Sequence, residues 1–299
     1  MDCLICGNKV FKPYYYPPTL FNNKTFTYHE CTSCYSAQIS PLPDDDDMKL
    51  MYGSNDHSYL LSLKDDELLN FSFTYPKYNH QRFQLQFFKK FIYKQYGNTL
   101  LDIGCGSGYY MNHAKSFGFT CVGIEFSTDF AKLLRAKTGL DIFSFEEFSK
   151  KFPEGKQFDL IHLGHVLEHS TNPKQFIESL KPYTHAKTII IVDGPLEKNK
   201  CLSRFVIMCG SLLRKNKSNT YHPQHITFTN AASQLTFFEK AGLTKINYTI
   251  TEQMFPFPSK LQGETFKNKL LFLLGRISVN LSKVIPGAGN VFHYAGRFK

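Results

Sequence analysis

Thr99-Leu100-Leu101-Asp102-Ile103-Gly104-Cys105-Gly106-Ser107-Gly108 runs from a short apolar stretch straight into three glycines spaced two apart. Thr99 to Ile103 reads as a strand, Gly104 to Gly108 as a turn and Tyr109 to Phe117 as a helix, so the stretch predicts an α/β unit closed by a glycine turn. In turns that hold a pyrophosphate the third glycine stands three residues after the second. Here the glycines alternate and Asp102 precedes them, so a pyrophosphate would be repelled and a ligand bearing an ammonium group favoured.

Downstream, Phe119 to Ile124 predicts a second strand ending at Glu125, about 20 residues past the turn, where an acidic side chain can accept hydrogen bonds from both hydroxyls of a ribose. An adenosine joined to an amino-acid ammonium describes S-adenosylmethionine, and Phe126 then stands where it can line the adenine. Upstream, Phe83, Phe87, Phe88, Phe91 and Ile92 recur at helical spacing between Tyr78 and Tyr96, and Gly97-Asn98 ends that helix. Toward the C-terminus, Lys245 to Thr251 and Asn290 to Phe298 alternate as two last strands, with an amphipathic segment, 260–285, between them.

Leu101 to Gly108 resembles the first motif of class I S-adenosylmethionine-dependent methyltransferases, and Gly123-Ile124-Glu125 resembles their acidic second motif. Phe158-Asp159-Leu160-Ile161-His162-Leu163-Gly164-His165-Val166-Leu167-Glu168-His169 is similar to their fourth strand and the turn after it, and Ile189 to Val192 to their fifth strand. These motifs cover roughly residues 98 to 195. The resemblance implies an α/β fold over 98–299: a Rossmann-like methyltransferase sheet, mostly parallel, of seven strands. It implies cofactor contacts from Asp102, Gly104, Cys105, Gly106, Gly108, Glu125, Phe126 and His165. It also puts Phe143 and Ser144, after a short third strand, near the adenine; a core phenylalanine and a turn serine are the other reading. Farther on, His222-Pro223-Gln224-His225-Ile226-Thr227-Phe228-Thr229 and the helix-like Asn230 to Ala241 resemble a subgroup that often carries an N-terminal four-cysteine module and commonly methylates sugars or other small metabolites.

Cys3-x-x-Cys6 and Cys31-x-x-Cys34 form such a module within residues 1–43. Each pair on a tight turn aims two sulfurs at one point, and two pairs make the tetrahedral thiolate set that zinc favours, a closed structural site of zinc-ribbon type. Disulfides are disfavoured by the paired spacing and by a cytosolic compartment. Cys105, Cys121, Cys201 and Cys209 lack such pairing and read as packed thiols. Residues 44–97 then read as a helical linker or cap, opened by the acidic run Asp44 to Asp47, which suits the positive end of a helix.

Methyl transfer is an in-line displacement at a carbon already activated by sulfonium charge, so alignment dominates and only a hydroxyl acceptor needs a base. His165, Glu168 and His169 follow the fourth strand, while His222 and His225 lie in a stretch, about 196–228, expected to cover the acceptor as a lid. His165 and His225 are the favoured bases, with Glu168 and His169 beside them. Glu168-His169 equally fits a turn that caps the helix opening at Asn172-Pro173. Some quinone-pathway O-methyltransferases resemble this turn and bind a divalent metal through E-x-x-E-H; here His165 replaces the first acid.

The formal charge of +10 fits an acidic partner, and Lys198, Lys200, Arg204, Arg214, Lys215 and Lys217 occur together without an acid among them. That stretch is either a solvated loop or a rim for an acidic acceptor such as a phosphorylated or nucleotide-linked sugar. An RNA methyltransferase would use the same charge, but the cysteine module does not interleave basic with aromatic residues, and no Asn-Pro-Pro-aromatic motif follows the fourth strand. A catalytically inactive scaffold would need neither the glycine turn nor Glu125. Leu270 to Ile285 is broken by Arg276, Asn280 and Lys283 and cannot span a bilayer, so it reads as an amphipathic helix packed on its own core or, less often, on a membrane surface. Met1-Asp2-Cys3 lacks a basic, apolar start, which points to the cytoplasm.

Overall fold

The computed structural model describes residues 1–52, 79–92, 97–153, 155–202, 204–206, 223–253 and 265–299. The chain opens with four strands, β1 (Phe11–Pro13), β2 (Thr19–Phe21), β3 (Lys24–Cys31) and β4 (Ala37–Ser40), followed by helix α1 (Asp45–Met51). Asp44 caps α1 through a reciprocal pair of hydrogen bonds with Asp47, so the acidic run does open a helix. Of the expected linker, 53–78 and 93–96 lie outside the described residues; between them runs α2 (Asn79–Ile92).

The glycine turn then joins β5 (Thr99–Ile103) to α3 (Tyr109–Lys115), and the alternation continues through β6 (Thr120–Glu125), α4 (Thr128–Thr138), β7 (Ile142–Ser144), α5 (Phe145–Lys151), β8 (Phe158–Gly164), α6 (Pro173–Glu178) and β9 (Thr184–Pro195). After them come β10 (Thr227–Phe228), α7 (Ala231–Lys240), β11 (Leu243–Thr251), α8 (Phe266–Val284) and β12 (Val291–Phe298). Seven strands form one sheet in the order β11-β12-β9-β8-β5-β6-β7, in which β12 alone runs against the others. The order doubles back at β5, which opens a crevice at the carboxyl ends of the parallel strands.

Strand alternation sorts the side chains into two cores. Leu101, Ile103, Val122, Ile124, Ile161, Leu163, Ile190 and Val192 face one side, against Phe148 of α5, Ile177 of α6 and Phe237 and Phe238 of α7. Leu100, Cys121, Ile142, Leu160, Ile189 and Ile191 face the other, against Phe87, Phe88, Phe91 and Ile92 of α2 and the buried residues of α3 and α4. Both faces are therefore covered, which is why the inner strands read as mostly apolar runs.

The N-terminal strands make a second sheet, β1-β3-β4-β10 with β2 also paired to β3. Its last strand comes from the other end of the chain: Thr227 and Phe228 pair with Gln38 and Ala37. Phe26, Tyr28, Ala37 and Ile39 of the module share a core with Ile226 and Phe228, so the module is joined to the main domain by a sheet and by apolar packing.

Candidate active site

At the end of β5 the chain turns through Gly104, Gly106 and Gly108, all with φ between 49° and 74°. Gly104 shows why: a Cβ there would stand 2.6 Å from Val166 Cγ2 in a backbone conformation that side chains resist. The turn is tied to the next strand, since Gly104 N and Cys105 N both donate to Ile124 O, at 2.8 and 3.1 Å. Glu125 closes it, one carboxylate oxygen accepting from Gly106 N at 3.2 Å and the other from Phe126 N at 2.8 Å. Phe126 stands half exposed beside this turn, its ring 6.5 Å from that of Phe176.

Phe143 is buried in the core, with the Arg135 and Lys151 cations over its ring at 5.2 and 4.3 Å. Ser144 caps α5, its hydroxyl accepting from Glu147 N. Cys105 is buried, packing where Gly123 leaves space: a Cβ at Gly123 would meet Cys105 Sγ at 2.8 Å.

Asp102 belongs to a chain of buried polar groups that crosses the sheet. His162 Nδ1 lies 2.7 Å from Asp102 Oδ1, and its Nε2 lies 3.2 Å from Asp193 Oδ2. Asp193 in turn bonds His293 Nδ1, and His293 Nε2 bonds the Thr251 hydroxyl at 2.8 Å. One residue each comes from β5, β8, β9, β12 and β11, all on the face covered by α2, where the Phe88 and Tyr110 rings pack against His162. Burial alone would push the His162 pKa down, but the two aspartates overcome it and raise it to about 9, so the ring is an imidazolium at neutral pH. The second oxygen of Asp102 is buried and has no hydrogen-bond partner among the described residues.

A second cluster lies after β8. His165, in the left-handed region at φ 56°, donates its backbone N–H to Asp193 O and sets Nδ1 3.0 Å from Glu168 Oε1. Leu167–His169 form a single 3-10 turn, whereas α6 is capped by Asn172 with Pro173 at its first position, so Glu168 and His169 are not that helix's cap. Glu168 is 7% exposed; burial works to raise its pKa, yet His165, His169 and His225 bring it down to about 2. His169 Nδ1 bonds Gln224 O at 2.8 Å, and burial lowers its pKa to about 4, leaving it neutral.

His225 comes to the same place from the other end of the chain. Its Nδ1 bonds Glu197 Oε1 at 2.5 Å, and its ring stands edge-on to His169 at 5.0 Å. Burial opposes charge on His225, but Glu197 prevails and its pKa is raised. Ligand atoms of Glu168, His169 and His225 lie within 4.8 Å of one another, a spacing open to a shared metal ion. His222 lies outside the described residues, as do Cys209, Arg214, Lys215 and Lys217.

The four cysteines of the module are free thiols brought to one point: Cys3 Sγ is 3.7 Å from Cys34 Sγ, and Cys6 Sγ is 3.6 Å from Cys31 Sγ. Sulfurs at the corners of a tetrahedron about zinc stand about 3.8 Å apart, close to these two separations, and all four sulfurs lie within 4.8 Å of one another.

Part of the basic stretch is absorbed by the fold. Lys198 is buried, pairs with Glu30 of the module and lies over the Tyr14 ring at 4.2 Å; Arg204 donates to Glu197 O at 2.6 Å and to the Tyr14 hydroxyl at 3.0 Å. These two cations hold the module rather than an acceptor. His162, His293 and Glu197 carry roles that the sequence reading missed. The signal for the first two was a histidine set directly between apolar or aromatic neighbours, Ile161-His162-Leu163 and Phe292-His293-Tyr294; Glu197 had none.

Comparison with known proteins matches residues 77–248, more than half of the chain, to the methyltransferase domain family. The mitochondrial ubiquinone biosynthesis O-methyltransferase of Arabidopsis thaliana is 31% identical over 94 residues, 29% of this chain and 29% of that protein. The ubiquinone biosynthesis O-methyltransferase of Brucella anthropi is 26% identical over 158 residues, 50% of this chain and 64% of its own. The chain thus spans less than two thirds of the length of either relative. Among solved structures, the plantazolicin methyltransferase BpumL in complex with SAH superposes with a TM-score of 0.48 at 17% identity, over 85% of this chain and 94% of that one. With the glycine turn, the acidic second strand and the sheet order in place, the chain belongs to the methyltransferase domain family.

Proposed function

We propose that the protein transfers a methyl group from S-adenosylmethionine to a hydroxyl of a small acceptor, a sugar or related metabolite, with His225 as the base. Methyl transfer from S-adenosylmethionine follows from the family. The donor supplies an electrophilic methyl carbon when bound, and Gly104 to Gly108, Glu125, Phe126 and Asp102 are the residues to hold it. The unpartnered, buried oxygen of Asp102 supports a cationic ligand group there.

The observation that carries the choice of acceptor is the His225–Glu197 pair. With Nδ1–H donating to a carboxylate, the imidazole keeps its lone pair on Nε2 and gains basicity, the arrangement required to take a proton from a hydroxyl. Glu168 fixes His165 beside it, and neutral His169 completes the wall. Incubating the protein with isotopically labelled methyl donor and a cell extract, then reading the labelled product by mass spectrometry, tests this. Label on a hydroxyl oxygen that disappears with His225→Gln is expected; label on nitrogen or on RNA would overturn it.

The close approach of Glu168, His169 and His225 favours a second reading, in which a divalent metal held there lowers the pKa of the acceptor hydroxyl. Activity abolished by chelation in a protein whose cysteines retain their metal would select it. For the module we propose structural zinc on Cys3, Cys6, Cys31 and Cys34, in a cytoplasmic protein whose thiols stay reduced.

A further inference from the structure

Helix α8 (Phe266–Val284) wears its apolar side outward. Phe266, Leu270, Leu273, Ile277, Leu281 and Val284 are all exposed, from 39% for Leu281 to 82% for Phe266. At 100° per residue these six fall within about 80° of arc, a single stripe along a helix about 28 Å long. The side turned to the protein carries Leu271 with Gly275, Ser278 and Ser282, and the Ser278 hydroxyl donates to buried Glu252 at 2.6 Å. A helix that only packed on its own core would show the reverse pattern.

Charge decides what covers the stripe. Lys269, Arg276 and Lys283, seven residues apart and all exposed, form a row along one flank of it. Residues 266–284 contain no acidic residue, and the whole chain carries +10. A second copy would bring cations toward cations, whereas an anionic bilayer offers hydrocarbon to the stripe and phosphate to the row. The helix is not long and apolar enough to cross a membrane. We propose that α8 is an interfacial helix that seats the protein on an anionic membrane surface, with the stripe from Phe266 to Val284 in the acyl boundary and the row of Lys269, Arg276 and Lys283 among the headgroups.

Co-sedimentation of the full-length protein with vesicles of equal parts phosphatidylcholine and phosphatidylglycerol tests this, with pure phosphatidylcholine vesicles as the comparison. The protein is expected to pellet with the anionic vesicles at least tenfold more strongly than with neutral ones, and less strongly as salt is raised. Leu273→Glu with Ile277→Glu should abolish binding, and replacing Lys269, Arg276 and Lys283 by glutamine should weaken it by roughly a hundredfold. All of these positions are exposed, so S-adenosylmethionine affinity and the circular dichroism spectrum should not change; this check separates lost docking from lost folding. Wild-type protein left in the supernatant, equal binding to neutral vesicles, or undiminished binding of the Leu273→Glu, Ile277→Glu variant would overturn the proposal. So would light scattering that shows a dimer dissolved by those same two substitutions, which would give the face to a second copy.

Discussion

Replacing His162 by phenylalanine keeps a ring between Phe88 and Tyr110 but strips Asp102 and Asp193 of the cation they share. His162, Asp102 and Asp193 are each 1% exposed, so water cannot take over the lost interaction. Removing one partner of a buried ion cluster costs about 3 to 5 kcal/mol. The same interaction makes stability depend on pH. The folded pKa of about 9 lies above the unfolded value of roughly 6.5, so the contribution is complete below pH 6.5 and is lost as pH rises through 9. The difference of roughly 2.5 pH units corresponds to about 3 kcal/mol. Urea unfolding of the wild type and of His162→Phe at intervals from pH 6 to 9.5 is the assay. His225, whose pKa is also raised, is present in both proteins, so the gap between the two curves reports His162. That gap should be widest at the acidic end of the range, below pH 6.5, and should narrow toward pH 9. A variant as stable as the wild type, or two curves that run parallel, would refute the reasoning.

Glu125→Ala frees both the Gly106 and the Phe126 amides and should weaken S-adenosylmethionine binding by roughly ten- to a hundredfold in calorimetric titration. His225→Gln should lower kcat by about 10² to 10⁴ while the affinity for S-adenosylmethionine stays as it was, the split between binding and turnover that marks a base. Gly104→Ala meets both a φ of 67° and the Val166 methyl at 2.6 Å, and should destabilise the fold by about 1 to 3 kcal/mol in thermal unfolding. A strong zinc chelator should release one zinc per chain, measured with a colorimetric dye, and end methylation while S-adenosylmethionine still binds; full turnover by zinc-free protein would count against the structural role of the module.

The parallel half of the sheet was legible because both of its faces are buried, so Thr99 to Ile103, Phe158 to Leu163 and Ile189 to Val192 stand out as apolar runs closed by glycine or by acidic residues. The turn from Gly104 to Gly108 was legible because its left-handed backbone admits few residues other than glycine. The buried row from Asp102 to Thr251 was not. Its members sit on five strands and up to 191 positions apart in the chain (Asp102 to His293), and only the sheet order makes them neighbours. Ser144 was ambiguous because a cap and a ligand contact ask for the same hydroxyl, and the structure gives that hydroxyl to Glu147 N. Strands β1 and β2 of the module went unread because they span three residues each, too short to show alternation.

The module and the histidine cluster after β8 are bound by the same few residues, so neither can shift alone. The Tyr28 hydroxyl donates to the carbonyl of His225, Ile39 N donates to Ile226 O at 3.0 Å, and Ile226 N donates to Glu168 O at 2.7 Å. A continuous path of hydrogen bonds therefore runs from β3 and β4 of the module through Ile226 to the carboxylate-bearing turn after β8. Glu197, which orients His225, lies one residue before Lys198, and Lys198 is anchored on Glu30 of β3. Asn230 and Lys240 complete the attachment by donating to the carbonyls of Cys34 and Cys6, at 3.3 and 2.7 Å. A segment this small has a limited apolar core, shared with Ile226 and Phe228, so whatever draws the four sulfurs together adds folding free energy that helps to fix His225. On that account the zinc proposed for the module would never touch the acceptor, yet it would set the position of the proposed base.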